Sequence, residues 1–345
     1  MTSSFSSNCL AKYLTGFAFI ISVSFGLLAC QKSKVSTNEV ASTSTPKEAA
    51  DDIKEGMIAA NGQNFHYLYA GKKGNPMILF VHGYPEYSGK WKNYLKHFSK
   101  DYYVVAPDLR GYNLSSKPQN TEDYKISILA EDLRQIVYAL GYKEEQGIQV
   151  VSHDWGAMIT WVFVEKNENL VRSSTVLNGV HPKALAEVYL APGSKQPAAS
   201  HTYVPDAVAE NAPAHFAEND YQYLKDFVFN KSIATFSAEE QEGYMNAWKQ
   251  PDAIKSMVQY YKAFNPFVDP FIQSLKGVKT VPVLMFWGHN DSFTVDANLP
   301  ATLRYAAVHE TPVEFADATH WLTHEKEAEI IPKMEAFFSK HKVSK

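Results

Sequence analysis

Four short stretches carry residues able to do chemistry: His82-Gly83-Tyr84-Pro85-Glu86, Ser152-His153-Asp154-Trp155-Gly156, Trp287-Gly288-His289-Asn290-Asp291 and Ala316-Asp317-Ala318-Thr319-His320-Trp321. In the second, Ser152 and Gly156 flank Asp154 in the small-x-nucleophile-x-small spacing of a nucleophile elbow, where small neighbours let the backbone fold sharply back. A carboxylate, unlike a serine hydroxyl, needs no base before it attacks carbon, and its product is an ester. The chain order is nucleophile, acid, histidine: Asp154, then Asp291, then His320. A neutral His320 oriented by Asp291 can take a proton from water as that water attacks the Asp154 ester. The backbone N–H groups of Tyr84 and Trp155 are the candidate oxyanion donors, with His82, Gly83 and Pro85 shaping the loop.

Each stretch alone has a plainer explanation. Asp154 could be a helix N-cap, His82 a structural hydrogen-bonding group in a Gly-Pro turn, Asp291 a turn residue and His320 a surface histidine. Their positions among the predicted elements argue otherwise. Asn61-Gly62 marks a hairpin, and Met77 to Val81, Tyr102 to Pro107, Ile148 to Val151 and Ser174 to Leu177 read as buried strands. Helical spacing appears over 91–98, 126–140 and the stretch after the elbow. From His181 to Gly277 strand patterning disappears, then resumes at 281–287 and 312–315, with an amphipathic helix over 326–338. This predicts an α/β fold, a mostly parallel eight-stranded sheet with helices on both faces and an inserted helical cap. Each chemical stretch then falls at or after the C-terminal end of a strand, where such sheets place their sites.

The order and chemistry of HGYPE, DLRGYNLSSKP (108–118), SHDWG, WGHND and THW resemble the α/β-hydrolase epoxide hydrolases, relatives of the haloalkane dehalogenases, over residues 55–340. The resemblance implies opening of a small hydrophobic epoxide to a vicinal diol, with two cap tyrosines as proton donors and neither cofactor nor metal. Gln259-Tyr260-Tyr261-Lys262 resembles the late cap stretch of that family, which singles out Tyr261. Ser200-His201-Thr202-Tyr203 resembles the early one with an extra residue, and Tyr203 is the candidate there. A haloalkane is the alternative substrate, because dehalogenases share the nucleophile, acid and histidine but hold a halide with N–H donors. They commonly carry Asn at the x of HGxP, where this chain has Tyr84. Fluoroacetate dehalogenases place Arg after the nucleophile, where this chain has Trp155. An ester substrate is disfavoured, since Asp attacking an ester would give an anhydride. A non-enzymatic binding protein on the same scaffold is the alternative of another class.

The 345 residues are 45% hydrophobic and 20% charged with a net charge of −4, a globular composition without a basic, aromatic-interleaved stretch for nucleic acid. Both cysteines, Cys9 and Cys30, precede the folded body, which excludes disulfides and cysteine-ligated metals there. Lys12 followed by an apolar run to Leu28 and then Leu27-Leu28-Ala29-Cys30 resembles a lipoprotein signal peptide with its lipobox. The expected organisation is therefore a signal peptide over 1–29 and a lipidated Cys30 with a polar tether over 30–52. Hydrolase core over 53–180, cap over 181–277 and core again over 278–345 complete it. A lipid anchor in a bacterial membrane follows, with Gln31 after the cysteine favouring the outer membrane on its periplasmic or cell-surface side.

Overall fold

The structure, a computed structural model, describes residues 52–342. The expected signal peptide, Cys30 and nearly all of the expected tether lie outside the described residues. Strands β1 (Lys54–Ala60) and β2 (Gln63–Ala70) form a hairpin whose turn residues Asn61 and Gly62 both have positive φ, as a tight primed turn requires. The sheet continues with β3 (Met77–Val81), β4 (Tyr103–Pro107), β5 (Ile148–His153), β6 (Val171–Leu177), β7 (Val283–Gly288) and β8 (Val313–Phe315). Their order is β1-β2-β4-β3-β5-β6-β7-β8; the hairpin pairs antiparallel and all pairs from β4 onward are parallel. This is the α/β-hydrolase fold.

Strand β3 shows why the apolar runs are continuous. Met77, Leu79 and Val81 join one core cluster, Ile78 and Phe80 the other, and all five are fully buried. Helices α1 (Lys92–Phe98), α2 (Ile126–Ala139) and α3 (Asp154–Lys166) cover the sheet, α1 on one face and α2 and α3 on the other. In α2, Leu129, Leu133, Ile136 and Val137 are buried at the spacing of one helical face. Every residue of α3 from Trp155 to Val164 is buried, so the elbow helix lies inside the protein.

Two strands start more than one residue away from the sequence reading. Strand β6 starts at Val171, three residues before Ser174, because its polar opening residues are paired: Arg172 donates to the Glu144 carbonyl at 2.6 Å and Ser173 to Gln149. Strand β7 starts at Val283, after Pro282, which has no N–H to give a ladder but whose carbonyl accepts from Ser174 N–H at 2.9 Å.

Between β6 and β7, the described elements from Pro182 to Ser274 are all helical. Hydrogen bonds tie this insertion to the core. Trp248 Nε1 donates to the Pro85 carbonyl at 2.7 Å, the Tyr260 hydroxyl to the Arg110 carbonyl at 2.7 Å and Gln196 Nε2 to the Phe293 carbonyl at 2.8 Å. Glu325 in turn accepts from Ser232 Oγ and Ile233 N–H, each at 2.9 Å.

Candidate active site

Asp154 opens α3 with φ of +52°, left-handed backbone that an aspartate adopts at a cost of order 1–3 kcal/mol and that marks functional turns. The turn is possible because its neighbours lack bulk. A Cβ on Gly156 would stand 2.3 Å from the His82 carbonyl oxygen, and one on Gly83 2.4 Å from Asp154 Oδ1. Thus β3 and the elbow approach to a distance that only glycine allows, and the Tyr84 N–H donates to Asp154 Oδ1 at 2.7 Å. Trp155 sits in the first turn of α3, where backbone N–H groups have no intrahelical acceptor. His82 is buried and acts as a brace. Its Nε2 accepts from Leu109 N–H at 3.0 Å, which leaves Nδ1–H to donate to the Gly83 carbonyl at 2.9 Å.

On the other side of Asp154, His320 Nε2 lies 3.4 Å from Oδ2, and His320 Nδ1 lies 2.7 Å from Asp291 Oδ2. Asp291 is saturated with donors: Phe293 N–H at 2.7 Å, Thr294 N–H at 3.0 Å, Thr294 Oγ1 at 2.7 Å and Asn178 Nδ2 at 3.0 Å. Burial works against the anion, but His320 and these donors hold its carboxyl below the usual range. Burial also works against a charged His320, yet the carboxylates of Asp291 and Asp154 outweigh it and raise the imidazole to about 10. In the resting site His320 is therefore an imidazolium, a charge state the sequence did not disclose.

Asp154 opens into a cavity of about 220 Å³ with mostly apolar walls. Tyr203 and Tyr261 line it, their ring centroids 5.9 Å apart, and Tyr261 stands edge-on to both Trp155 (5.1 Å) and Tyr84 (5.0 Å). Burial, then neighbouring charge that includes Asp154, raises both phenols above the ordinary tyrosine value and keeps them protonated. Tyr189 lines the cavity as well, while three other cap phenols are engaged elsewhere. Tyr260 bonds the Arg110 carbonyl, Tyr223 donates to Asp206 at 3.0 Å, and Tyr244 meets His324 Nε2 at 3.2 Å.

A family profile for the alpha/beta hydrolase fold matches residues 76–327. Mouse epoxide hydrolase 4 is 30% identical over 271 residues, covering 77% of this chain and 73% of that protein. The chain belongs to the epoxide hydrolase family of α/β-hydrolases. This α/β-hydrolase is also 31% identical over 284 residues to the AB hydrolase superfamily protein YfhM of Bacillus subtilis, spanning 81% of this chain and 95% of that one. Among solved structures, the Bacillus megaterium epoxide hydrolase in complex with an inhibitor superposes with a TM-score of 0.74 at 30% identity, over 82% of this chain and 100% of that one.

Sequence reasoning missed one residue of the hydrolase's site and gave no role to one stretch it had singled out. Asn178, with φ of +36°, bridges β6 to the loops that carry Asp291 and His320: its amide donates to Asp291 and to the Thr319 carbonyl (3.2 Å), while its Oδ1 accepts from Gly288 N–H at 2.7 Å. The signal was Asn178-Gly179 directly after a strand. The DLRGYNLSSKP stretch likewise acts as a brace, since Asp108 accepts from Ser88 N–H and Asn113 and pairs with His66 at 2.6 Å.

Proposed function

We propose that this chain hydrolyses epoxides to vicinal diols through a covalent Asp154 ester. The observation that carries the reading is the pair of protonated cap phenols, Tyr203 and Tyr261, which line the same cavity as Asp154, stand 5.9 Å apart and both feel its charge; Tyr189 lines the cavity too, while Tyr223, Tyr244 and Tyr260 are bonded elsewhere. An oxirane opens with its oxygen leaving as an alkoxide, which needs a proton, and a phenol can supply it. With Oδ1 held by Tyr84 N–H, Oδ2 attacks the ring carbon, the C–O bond breaks, and a phenol proton moves to the departing oxygen.

The ester removes one of the two anions that hold the His320 proton. His320 then returns a proton to the tyrosinate and becomes neutral, and it takes another from water as that water attacks the ester carbonyl. Tyr84 and Trp155 N–H groups hold the resulting oxyanion. Collapse breaks the acyl C–O bond and His320 protonates the departing diol, leaving a carboxylic acid that re-protonates His320 and restores the resting pair. A halide would need further N–H donors beside Trp155; of the amide side chains lining the cavity, Asn178 already gives its protons to Asp291 and the Thr319 carbonyl.

The test is turnover of terminal and aryl epoxides beside bromo- and chloroalkanes by residues 53–345, with Asp154→Ala as control. Diol without halide release, abolished in the control, is the expected result; halide release without diol would replace this reading by a dehalogenase. We further propose lipid attachment at Cys30 and a bacterial membrane location, on the sequence of the leader alone. Fatty-acid labelling that persists in Cys30→Ser would remove that proposal.

A further inference from the structure

Behind the nucleophile lies a second ionic cluster that the two-step chemistry does not use. Glu86 ends the HGYPE stretch, Lys90 follows four residues later, and His153 immediately precedes Asp154; none of the three side chains is exposed. Glu86 Oε2 accepts from Gly83 N–H at 2.8 Å, and Glu86 Oε1 is bonded by the Lys90 ammonium. Lys90 Nζ lies 2.8 Å from His153 Nδ1, which is also 2.9 Å from Glu86 Oε2. On its far side, His153 Nε2 stands 2.8 Å from the backbone carbonyl oxygen of His320.

Donor and acceptor chemistry leaves this cluster few arrangements. A carbonyl only accepts, so His153 Nε2 carries a proton. An ammonium only donates and a carboxylate only accepts, so Nδ1 has two exclusive options. Either it is bare and accepts from Lys90, or it is protonated and donates to Glu86, in which case an intact ammonium 2.8 Å away would face it donor against donor, a contact that loss of a proton from Lys90 relieves. One proton is shared by two bases. Lysine is the stronger base by about four pKa units in water; burial lowers both bases here, but Glu86 opposes the drop at Lys90, whereas at His153 the Lys90 charge adds to it. Burial disfavours the charged Glu86 too, but Lys90 first and then His153 keep it anionic, well below the usual carboxyl value.

We propose that Lys90 is a positioning residue for catalysis: its ammonium keeps His153 neutral with the proton on Nε2, which pins the His320 backbone and leaves His320 the charged imidazole of the pair. The two rings are 4.7 Å apart centroid to centroid, so a cation on His153 would oppose the one on His320. The groups facing the cluster come from several elements. They are His82 and Glu86 from β3 and its loop, Asp154 from α3, His320 and His324 beyond β8, and Tyr244 with Glu240 from the cap. Of these, His324 is held down to about 3, first by burial and then by Lys90, so it adds no charge. Lys90 thus balances Glu86 from the side away from the reacting atoms.

Removing the ammonium shifts that balance. In Lys90→Met, Glu86 and the His320 carbonyl offer His153 two acceptors with no competing donor, and the ring takes a second proton. The test reads the ring directly, by nitrogen NMR of labelled histidine, with His153 assigned by its absence in His153→Gln. The expected wild-type result is a neutral, Nε2-protonated His153 from about pH 6 to about pH 9, and an imidazolium in the lower part of that range in Lys90→Met.

The kinetic half of the proposal rests on the epoxide hydrolase reading. There, Lys90→Met is expected to move the acid limb of the ester-hydrolysis step to lower pH by about one unit or more, because the new cation beside His320 disfavours its protonation. Ester formation keeps its profile, and Lys90→Arg, which restores a buried cation, returns both readouts toward wild type. A wild-type His153 that is an imidazolium at neutral pH overturns the proposal without any variant, which covers the case in which Lys90→Met fails to fold. A Lys90→Met protein with wild-type His153 resonances and pH profile overturns it equally. Neutral wild-type His153 in an enzyme that turns over no epoxide would overturn the reaction reading instead and leave the protonation argument standing.

Discussion

The charge on His320 is the quantity on which the two-step scheme turns. In the resting site the imidazole is raised to about 10 by Asp291 and Asp154 against burial, so at neutral pH it cannot act as a base. Esterification of Asp154 deletes one of those anions. Asp154→Asn imitates that change without substrate, and Tyr84 N–H, 2.7 Å from Oδ1 in the wild type, is set to hold the amide oxygen and turn its NH₂ toward His320. The lost attraction can be worked from the 3.4 Å separation of His320 Nε2 and Asp154 Oδ2. With an effective dielectric of about 20, Coulomb's law gives about 5 kcal/mol. At about 1.4 kcal/mol per pKa unit this is roughly three to four units. His320 should therefore titrate near 10 in the wild type and between roughly 6 and 7 in Asp154→Asn, within the working range of a general base. The assay is an NMR titration of His320, with mass spectrometry verifying that the amide is intact. A His320 that titrates at the same pH in both proteins would refute the idea that ester formation switches the base on.

Three further outcomes follow from the same geometry. Tyr203→Phe and Tyr261→Phe should each slow ester formation in single-turnover experiments, and the double variant by about 10²- to 10⁴-fold, the usual worth of general acid catalysis; an unchanged rate in the double variant would reduce both phenols to wall. Asn178→Ala strips the acceptor from Gly288 N–H and a donor from Asp291, and should cost about 1–3 kcal/mol in urea unfolding; an unshifted midpoint would mean water replaces the amide freely. His320 is raised on folding, so its contribution to stability is fully present below its ordinary value of 6.5 and is lost as pH rises through about 10. The stability difference between wild type and His320→Gln should shrink across that interval and stay level below it.

The sequence made the scaffold readable where burial is two-sided. The apolar run from Met77 to Val81 can only be a covered strand, and Gly83 and Gly156 announce the close approach that bends the elbow. Asp154, Asp291 and His320 could be assembled because their order encodes a reaction, and the structure brings them within hydrogen-bonding or ion-pair distance. What stayed hidden depends on partners far away in sequence. Asn178 looks like a turn residue until Asp291 and Gly288, more than a hundred positions on, arrive beside it. Lys90 looks like a surface lysine, since nothing in its neighbourhood of the sequence says that its ammonium is sealed between Glu86 and His153. The resting charge of His320 is likewise a sum over two carboxylates and a burial term, and no local pattern contains that sum.

The bonds from the cap to Pro85, Arg110, Phe293 and Glu325 bear on how this enzyme could be re-engineered. Three of those four sites adjoin the proposed catalytic residues: Pro85 follows Tyr84, Phe293 is two residues from Asp291, and Glu325 bonds the Thr319 N–H at 2.7 Å, beside His320. A chimera that exchanges residues 181–277 for a foreign insertion would transplant new walls while cutting these struts. The pieces could each be sound and the hybrid still inert, with the nucleophile present and its supporting loops slack. Grafts that keep Trp248, Tyr260, Gln196 and the Ser232–Ile233 turn, and redesign only the side chains between them, would retain the frame while changing what it admits.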